Sequence, residues 1–313
     1  MCYATHPDTG CSDVTIHRLC IQGRDELSIF LQPGSRHIGA MAERAEELGR
    51  PLPISVSIGV DPAIEIGACF EPPTTPLGYD ELSIAGAIRG EPVRLCRCVS
   101  VAERAIAHAE FVIEGEIVPG VRVQEDQHSG TGFAMPEFPG YNGVASSECW
   151  LLKVKALTHR RAPILQTCIG PSEEHVNMAG IPTEASILGM LERAMPGRVK
   201  NVCAHRSGGG KYMAILQMCK KAPTDEGRQR QAALLAFSAF PELKHVVLAV
   251  REAPLSAVHL RNMYELARFG AVVFPPVPAW YAKPQSLEEA ERQIAARILA
   301  QFGVEAPGAP CWG

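Results

Sequence analysis

Residues Glu125–Gly143 read EDQHSGTGFAMPEFPGYNG. Two carboxylates, Glu125 and Glu137, flank a glycine- and aromatic-rich loop with little other charge. Acidic groups in such a loop are candidates for proton transfer, because partial burial can push two carboxyl pKa values apart. Immediately upstream, residues 110–118 read as a strand, and 149–158 read as another. The loop is therefore expected to join two strands of a β-rich body.

Working outward, residues 14–32 read as a β-hairpin around a Gly-Arg-Asp turn. His37–Leu48 carries Ile38, Met41, Ala42, Ala45 and Leu48 on one stripe and predicts an amphipathic helix. PISVSIGV (53–60) predicts a strand, with Asp61-Pro62 as N-cap and first residue of the next helix. A helix over Glu81–Ile88 should stop at Gly90. Strands are expected at 93–99 and 163–168, then a helix at 184–195, strands VKNVCAH and YMAILQMC, a helix at 224–239 and a buried strand KHVVLAV. Beyond Val250 come a helix (256–268), the strand AVVFP, a Pro-rich connection and a last helix opened by the capping box Ser286-x-x-Glu289. The chain reads as a strand-rich α+β body with a short α/β tail.

Composition narrows the function classes. The 313 residues suffice for two domains, and the net charge of −4 comes from interspersed charges of both signs. No basic stripe or aromatic ladder suggests nucleic acid. No apolar run reaches bilayer length and MCYATHPDTG is no signal peptide, so no membrane partner is expected. Eleven cysteines, an odd number without a small-scaffold spacing, suit a reducing cytoplasm. Cys96-x-Cys98 reads as two thiols on one strand face, with no second pair at zinc spacing. Ser207–Lys211 (SGGGK) lacks the phosphate-loop spacing and reads as a turn between strands. Ser172-Glu173-Glu174-His175 reads either as a metal cluster or as a solvated helix start.

Several segments occur in an order that resembles the UbiD-type decarboxylases, which use prenylated FMN. They are HPDTG (6–10), SDVTIHR (12–18), LQPGSRHIGAMAE (31–43), GYDELSIAGAIRGE (78–91), VIEGEIVPGVRVQEDQ (112–127), MPEFPGY (135–141), TCIGPSEEHVNMAGIPTEASI (167–187), AHRSGGGKYMAILQ (204–217) and PTDEGRQRQAAL (223–234). The loop pattern is most similar to the hydroxybenzoate and gallate branch. The resemblance covers about residues 5–248. It implies a flavin-reductase-like split β-barrel over 1–165 and an adjoining α/β segment over 166–248.

It also implies a metal site on Asp13, His37 and Glu81, where Asp13 stands in place of the family's usual Asn. Oxygen donors with one imidazole suit Mn²⁺ or Mg²⁺ against a flavin phosphate, with K⁺ as a further cation. From the residues alone, His37 is a helix-start histidine. Arg18, Glu125 and Glu137 match the family's Glu–Arg–acid set, although without the resemblance Arg18 and Glu125 would read as a surface pair. The implied activity is reversible, non-oxidative decarboxylation of a phenolic or other aromatic acid with release of CO₂. A flavin prenyltransferase would supply the cofactor.

From about Val246 the chain is similar to the C-terminal part of UbiX-type flavin prenyltransferases. That resemblance sets 249–313 apart and places prenyl-phosphate and flavin contacts on Arg251, Glu252, Tyr281, Arg297 and Trp312. Relative to these families, the chain is expected to lack an N-terminal α/β domain, most of a C-terminal domain and the prenyltransferase's flavin-binding half. Three outcomes follow: an active decarboxylase, a fusion product that binds flavin phosphate without turnover, or a prenyltransferase. A homo-oligomer is expected, because severed domain contacts leave apolar surface to cover.

Overall fold

The two edge strands of the largest sheet are nearly consecutive in sequence, and that fixes its shape. The computed structural model describes residues 1–300 except 33–36, 139–140, 171, 240–244, 250–253 and 269–270; for 138, 141, 239, 245–249 and 281 it describes the backbone. The chain divides into two units, Met1–Pro182 and Thr183–Gly313.

In the first unit, strands β1 (Cys2–Thr5), β2 (Ser12–Thr15), β3 (Leu19–Ile21), β4 (Glu26–Ile29), β5 (Leu52–Ile58), β8 (Phe111–Val123) and β11 (Cys149–His159) form an antiparallel sheet. Its order is β2-β1-β5-β8-β11-β4-β3. Six inter-strand gaps would hold the edges about 29 Å apart if the sheet were flat. Residues 16–18 alone join β2 to β3, and the step from Thr15 to Leu19 reaches at most about 14 Å. The sheet is therefore curled into a half-barrel, and residues 16–18 cross its mouth. Arg18 lies in that crossing.

Helix α1 (His37–Glu47) buries Ile38, Met41, Ala42 and Ala45 on Ile54, Val56, Ile117 and Leu152 of the sheet. Each large aliphatic side chain buried this way contributes roughly 1.5–3 kcal/mol. A second cluster joins Val14 of β2 to Ile64 of α2 (Pro62–Gly67) and to Leu82 and Ala85 of α3 (Glu81–Arg89). Asp61 caps α2, its carboxylate accepting from Ala63 N at 2.9 Å. Asp80 caps α3 by accepting from Leu82 N at 3.0 Å, and Gly90, at φ 76°, ends it. These caps fix Glu81 as the first residue of α3. Two small hairpins complete the unit: β6 (Leu95–Arg97) with β7 (Arg104–Ile106), and β9 (Phe133–Phe138) with β10 (Tyr141–Val144).

Helix α4 (Glu173–Ala194) crosses the division between units. In the second unit, β12 (Val199–Ala204), β13 (Met213–Met218), β14 (His245–Ala249) and β15 (Val272–Phe274) form a sheet in that order. The first pair is antiparallel and the others parallel, with α5 (Arg228–Ala239) and α6 (Ala257–Arg268) as crossovers. Ile187, Leu191, Val202, Leu216, Ala236 and Leu266 lie in its core. Helix α7 (Leu287–Ala300) opens as the capping box predicts: Ser286 Oγ accepts from Glu289 N at 3.1 Å. Ser207–Lys211 lies in the turn between β12 and β13, with Gly209 at φ 62°.

Several expectations change. The strand expected at 163–168 is extended loop without a sheet partner, and Ile164 and Leu165 are exposed. The hairpin expected over 14–32 splits at residues 16–18, because β2 pairs with β1 and only β3 pairs with β4. Strand β8 runs past 118: Pro119, which lacks an N–H, and Gly120, at φ 71°, fall where residues 118–121 bulge out opposite Leu151. Helix α4 starts eleven residues before the expected 184 and continues through Pro182.

Candidate active site and cation site

Arg18 and Glu125 are 107 residues apart in sequence and form a bidentate pair. Arg18 Nε donates to Glu125 Oε1 at 2.6 Å, and Nη2 donates to Oε2 at 2.9 Å. Ser146 N also donates to Oε2, at 2.9 Å, and Gln22 Nε2 donates to the Glu125 carbonyl at 3.2 Å. The guanidinium stacks on Phe30, 4.1 Å from the ring centroid, and Nη2 reaches Val144 O at 3.1 Å. The Glu125 side chain is 1 % exposed. Charge-assisted bidentate geometry of this kind is both strong and directional. The expected surface-type alternative for this pair does not hold.

Glu137 sits on β9 beside this pair. A Cβ built on Gly143 of β10 would lie 3.0 Å from both Arg18 Nη1 and Glu137 Oε2. The guanidinium and the second acid therefore face each other across one glycine. Cys20 and Cys149 flank Glu125; burial, reinforced by that carboxylate, raises both thiols, Cys149 to about 12. Thiols held protonated are poor nucleophiles.

Asp13 on β2, His37 at the start of α1 and Glu81 at the start of α3 converge and are all buried. His37 Nδ1 lies 3.4 Å from Asp13 Oδ1 and 3.9 Å from Glu81 Oε1. Asp13 Oδ2, His37 Nε2 and Glu81 Oε2 are buried without hydrogen-bond partners. Burial raises the Glu81 carboxyl to about 9, assisted by its hydrogen bond and charge repulsion with Asp13. Native interiors rarely leave this many polar atoms unsatisfied. Two carboxylates, one imidazole and three unused atoms fit a divalent cation such as Mn²⁺ or Mg²⁺. Among the described residues, this is the one cluster of three or more potential ligands close enough to share an ion. The Ser172–His175 segment is a helix start, with Ser172 Oγ accepting from His175 N at 3.3 Å.

Residues assigned through the second resemblance fare differently. Arg251, Glu252 and Trp312 lie outside the described residues, as does the side chain of Tyr281. Arg297 is on α7, with its guanidinium carbon 5.8 Å from the Phe274 ring centroid. Sequence reasoning missed Phe30, Gln22, Ser146 and Gly143. Only Gly143, in the aromatic-glycine run, carried a local signal. Among the described residues no helix is long and apolar enough to cross a membrane.

The chain is similar to known proteins in both sequence and fold. Residues 1–173 match the 3-octaprenyl-4-hydroxybenzoate carboxy-lyase Rift-related domain, and residues 176–268 match the C-terminal domain of the same carboxy-lyases. Because the second match runs to 268, the expected change to a UbiX-type tail near Val246 is not supported. Gallate decarboxylase of Lactiplantibacillus plantarum is 57 % identical over 246 residues, covering 79 % of this chain and 50 % of that relative. The apo 3,4-dihydroxybenzoic acid decarboxylase of Enterobacter cloacae superposes with a TM-score of 0.73 at 53 % identity, over 85 % of this chain and 54 % of that one. The UbiD-class enzyme HmfF of Pelotomaculum thermopropionicum, in complex with prFMN, gives 0.71 at 36 % identity, over 85 % and 58 %. The chain thus spans about half the length of the curated relatives it matches. With both family domains matched in order and the expected side chains brought together, the chain belongs to the UbiD carboxy-lyase family.

Proposed function

We propose that this chain carries the cofactor- and proton-handling machinery of a prenylated-FMN-dependent decarboxylase acting reversibly on a phenolic or other aromatic acid. The observation that carries the reading is the buried Arg18–Glu125 pair facing Glu137, together with an under-satisfied cation-type triad. Similarity to gallate and 3,4-dihydroxybenzoic acid decarboxylases supports a phenolic substrate. The curled sheet is read as the split β-barrel of flavin reductases.

Asp13, His37 and Glu81 would hold Mn²⁺ or Mg²⁺ against the flavin phosphate, with K⁺ as a further cation. When bound, the flavin supplies the electron sink for the electrons left by departing CO₂. Glu125, gripped at both oxygens, keeps the Arg18 guanidinium in one orientation. Arg18 offers Nη1 to an anionic group in the site, and Phe30 limits water on the guanidinium's face. Glu137 Oε2 delivers a proton to the carbon that loses CO₂ and removes it in the reverse direction. A flavin prenyltransferase supplies the cofactor, the working form is a homo-oligomer, and the free thiols suit a reducing cytoplasm.

The test is co-expression with an intact flavin prenyltransferase, purification with Mn²⁺, and mass spectrometry of the bound flavin. Gallate, 3,4-dihydroxybenzoate and 4-hydroxybenzoate are then offered. Release of CO₂ from at least one is expected. Bound prenylated flavin with no CO₂ from any of the three would contradict turnover and leave a flavin-binding protein.

A further inference from the structure

Among the described residues Glu137 makes no ion pair, so its position must be set in another way. Three observations show how. First, on the β9–β10 hairpin Tyr141 pairs with Phe138 and Asn142 pairs with Pro136, so Glu137 is the extra residue of a β-bulge. Bulges re-aim a side chain out of the regular alternation. Second, a Cβ on Gly143 would meet Glu137 Oε2 and Arg18 Nη1 at 3.0 Å. Third, a Cβ on Gly170, in the TCIGPSEEH segment, would meet Pro136 O at 2.5 Å and Glu137 O at 3.2 Å. Neither glycine has a positive φ. Their requirement is close approach, not backbone conformation.

The two contacts differ in what can yield. Arg18 is held by Glu125 at two nitrogens, by Val144 O and by the Phe30 ring, so a methyl group at 143 would displace Glu137 instead. At 170 the obstacle is backbone, so a methyl group would shift the acid-bearing strand itself.

We propose that Gly143 and Gly170 are positioning residues for Glu137, one against its carboxylate and one against its peptide, and that together they set the approach of the acid to Arg18. The proposal rests on the decarboxylase reading above, and it gives the TCIGPSEEH segment a role that the cation site does not.

Gly143→Ala and Gly170→Ala are made in the full chain, alone and in a Glu137→Gln background, with Gly189→Ala as control. Gly189 lies in α4 with nothing within 4 Å of its added Cβ. Expected losses in kcat are about 10-fold for Gly143→Ala and about 100-fold for Gly170→Ala, the second being the scale of a 1 Å misplacement. KM and Mn²⁺ affinity should hold, and Gly189→Ala should match wild type. In the Glu137→Gln background neither glycine change should lower kcat further. Equal losses in both backgrounds, or no loss in either, would overturn the proposal.

A melting cycle decides the matter without turnover. Gly143→Ala should lower Tm less in a Glu137→Ala chain than in wild type, because one of its two close contacts has gone. Additive shifts would overturn the positioning role. If wild type releases no CO₂, the decarboxylase reading fails and this cycle alone judges the contact.

Discussion

Glu125 and Glu81 are both buried acids of the first unit, yet their surroundings are opposite. Glu125 has each carboxylate oxygen filled, by Arg18 Nε, Arg18 Nη2 and Ser146 N. Glu81 shares a confined space with a second carboxylate, and Asp13, His37 and Glu81 each keep one polar atom without a partner. The first arrangement is finished without any ligand, so it orients a guanidinium. The second is stable only when a proton or a cation offsets two adjacent negative charges. Satisfaction alone does not mark function. In the second unit Asp225 is equally well served, by Arg198 at 2.8 Å, Arg228 at 3.2 Å and two backbone N–H groups. What sets the Arg18–Glu125 pair apart is Glu137 facing it.

This contrast can be broken by experiment. The largest effect is expected from Arg18→Ala, which strands a buried carboxylate; about 3–5 kcal/mol of stability should be lost in urea unfolding, along with turnover. A loss below about 1 kcal/mol would mean that the pair behaves like an exposed one. Glu137→Gln should separate chemistry from stability. Turnover should fall about 10²–10⁴-fold, while unfolding stays within about 0.5 kcal/mol of wild type.

Glu81→Gln should act in two directions. Mn²⁺ affinity, read by calorimetry, should drop by at least about 10–100-fold, the range seen for groups one step removed from a metal. The metal-free chain at pH 8 should nevertheless melt higher than wild type, because a neutral amide needs no proton taken up on folding, whereas Glu81 does. A last effect is the pH dependence. Burial raises the Glu81 carboxyl from its ordinary 4.5 to about 9. Between those values the folded chain retains a proton that the unfolded chain has lost, so stability in EDTA should fall as pH rises from 5 to 9. Saturating Mn²⁺ should displace that proton and remove the decline. Parallel melting curves with and without Mn²⁺ would contradict the cation site.

The elements legible in the sequence are those whose causes are local. Asp61-Pro62, Gly90 and Ser286-x-x-Glu289 punctuate helices where the caps fall. The Ile38–Ala45 stripe and the strand at 52–58 follow from periodicity. The Arg18–Glu125 pair spans 107 residues, and Asp13 and His37 are 24 apart. No periodicity could join them, so they were legible only through a resemblance to a family. Non-local geometry also hid the crossing at 16–18, where one strand-like run serves both edges of a curled sheet. In β9–β10, Pro136 and two bulges disguise the alternation that marks a hairpin. At 163–168 a short apolar stretch reads as a strand, but among the described residues no strand edge receives it. Pro182 led the opposite way, concealing the first three turns of α4.

The most direct measurement is Mn²⁺ binding followed by electron paramagnetic resonance, with and without FMN, in wild type, His37→Ala and Arg18→Ala. One Mn²⁺ per wild-type chain is the expected result, held more tightly when FMN is present. That binding should vanish in His37→Ala and persist in folded Arg18→Ala. Equal Mn²⁺ affinity in wild type and His37→Ala, or indifference to FMN, would contradict the cation site.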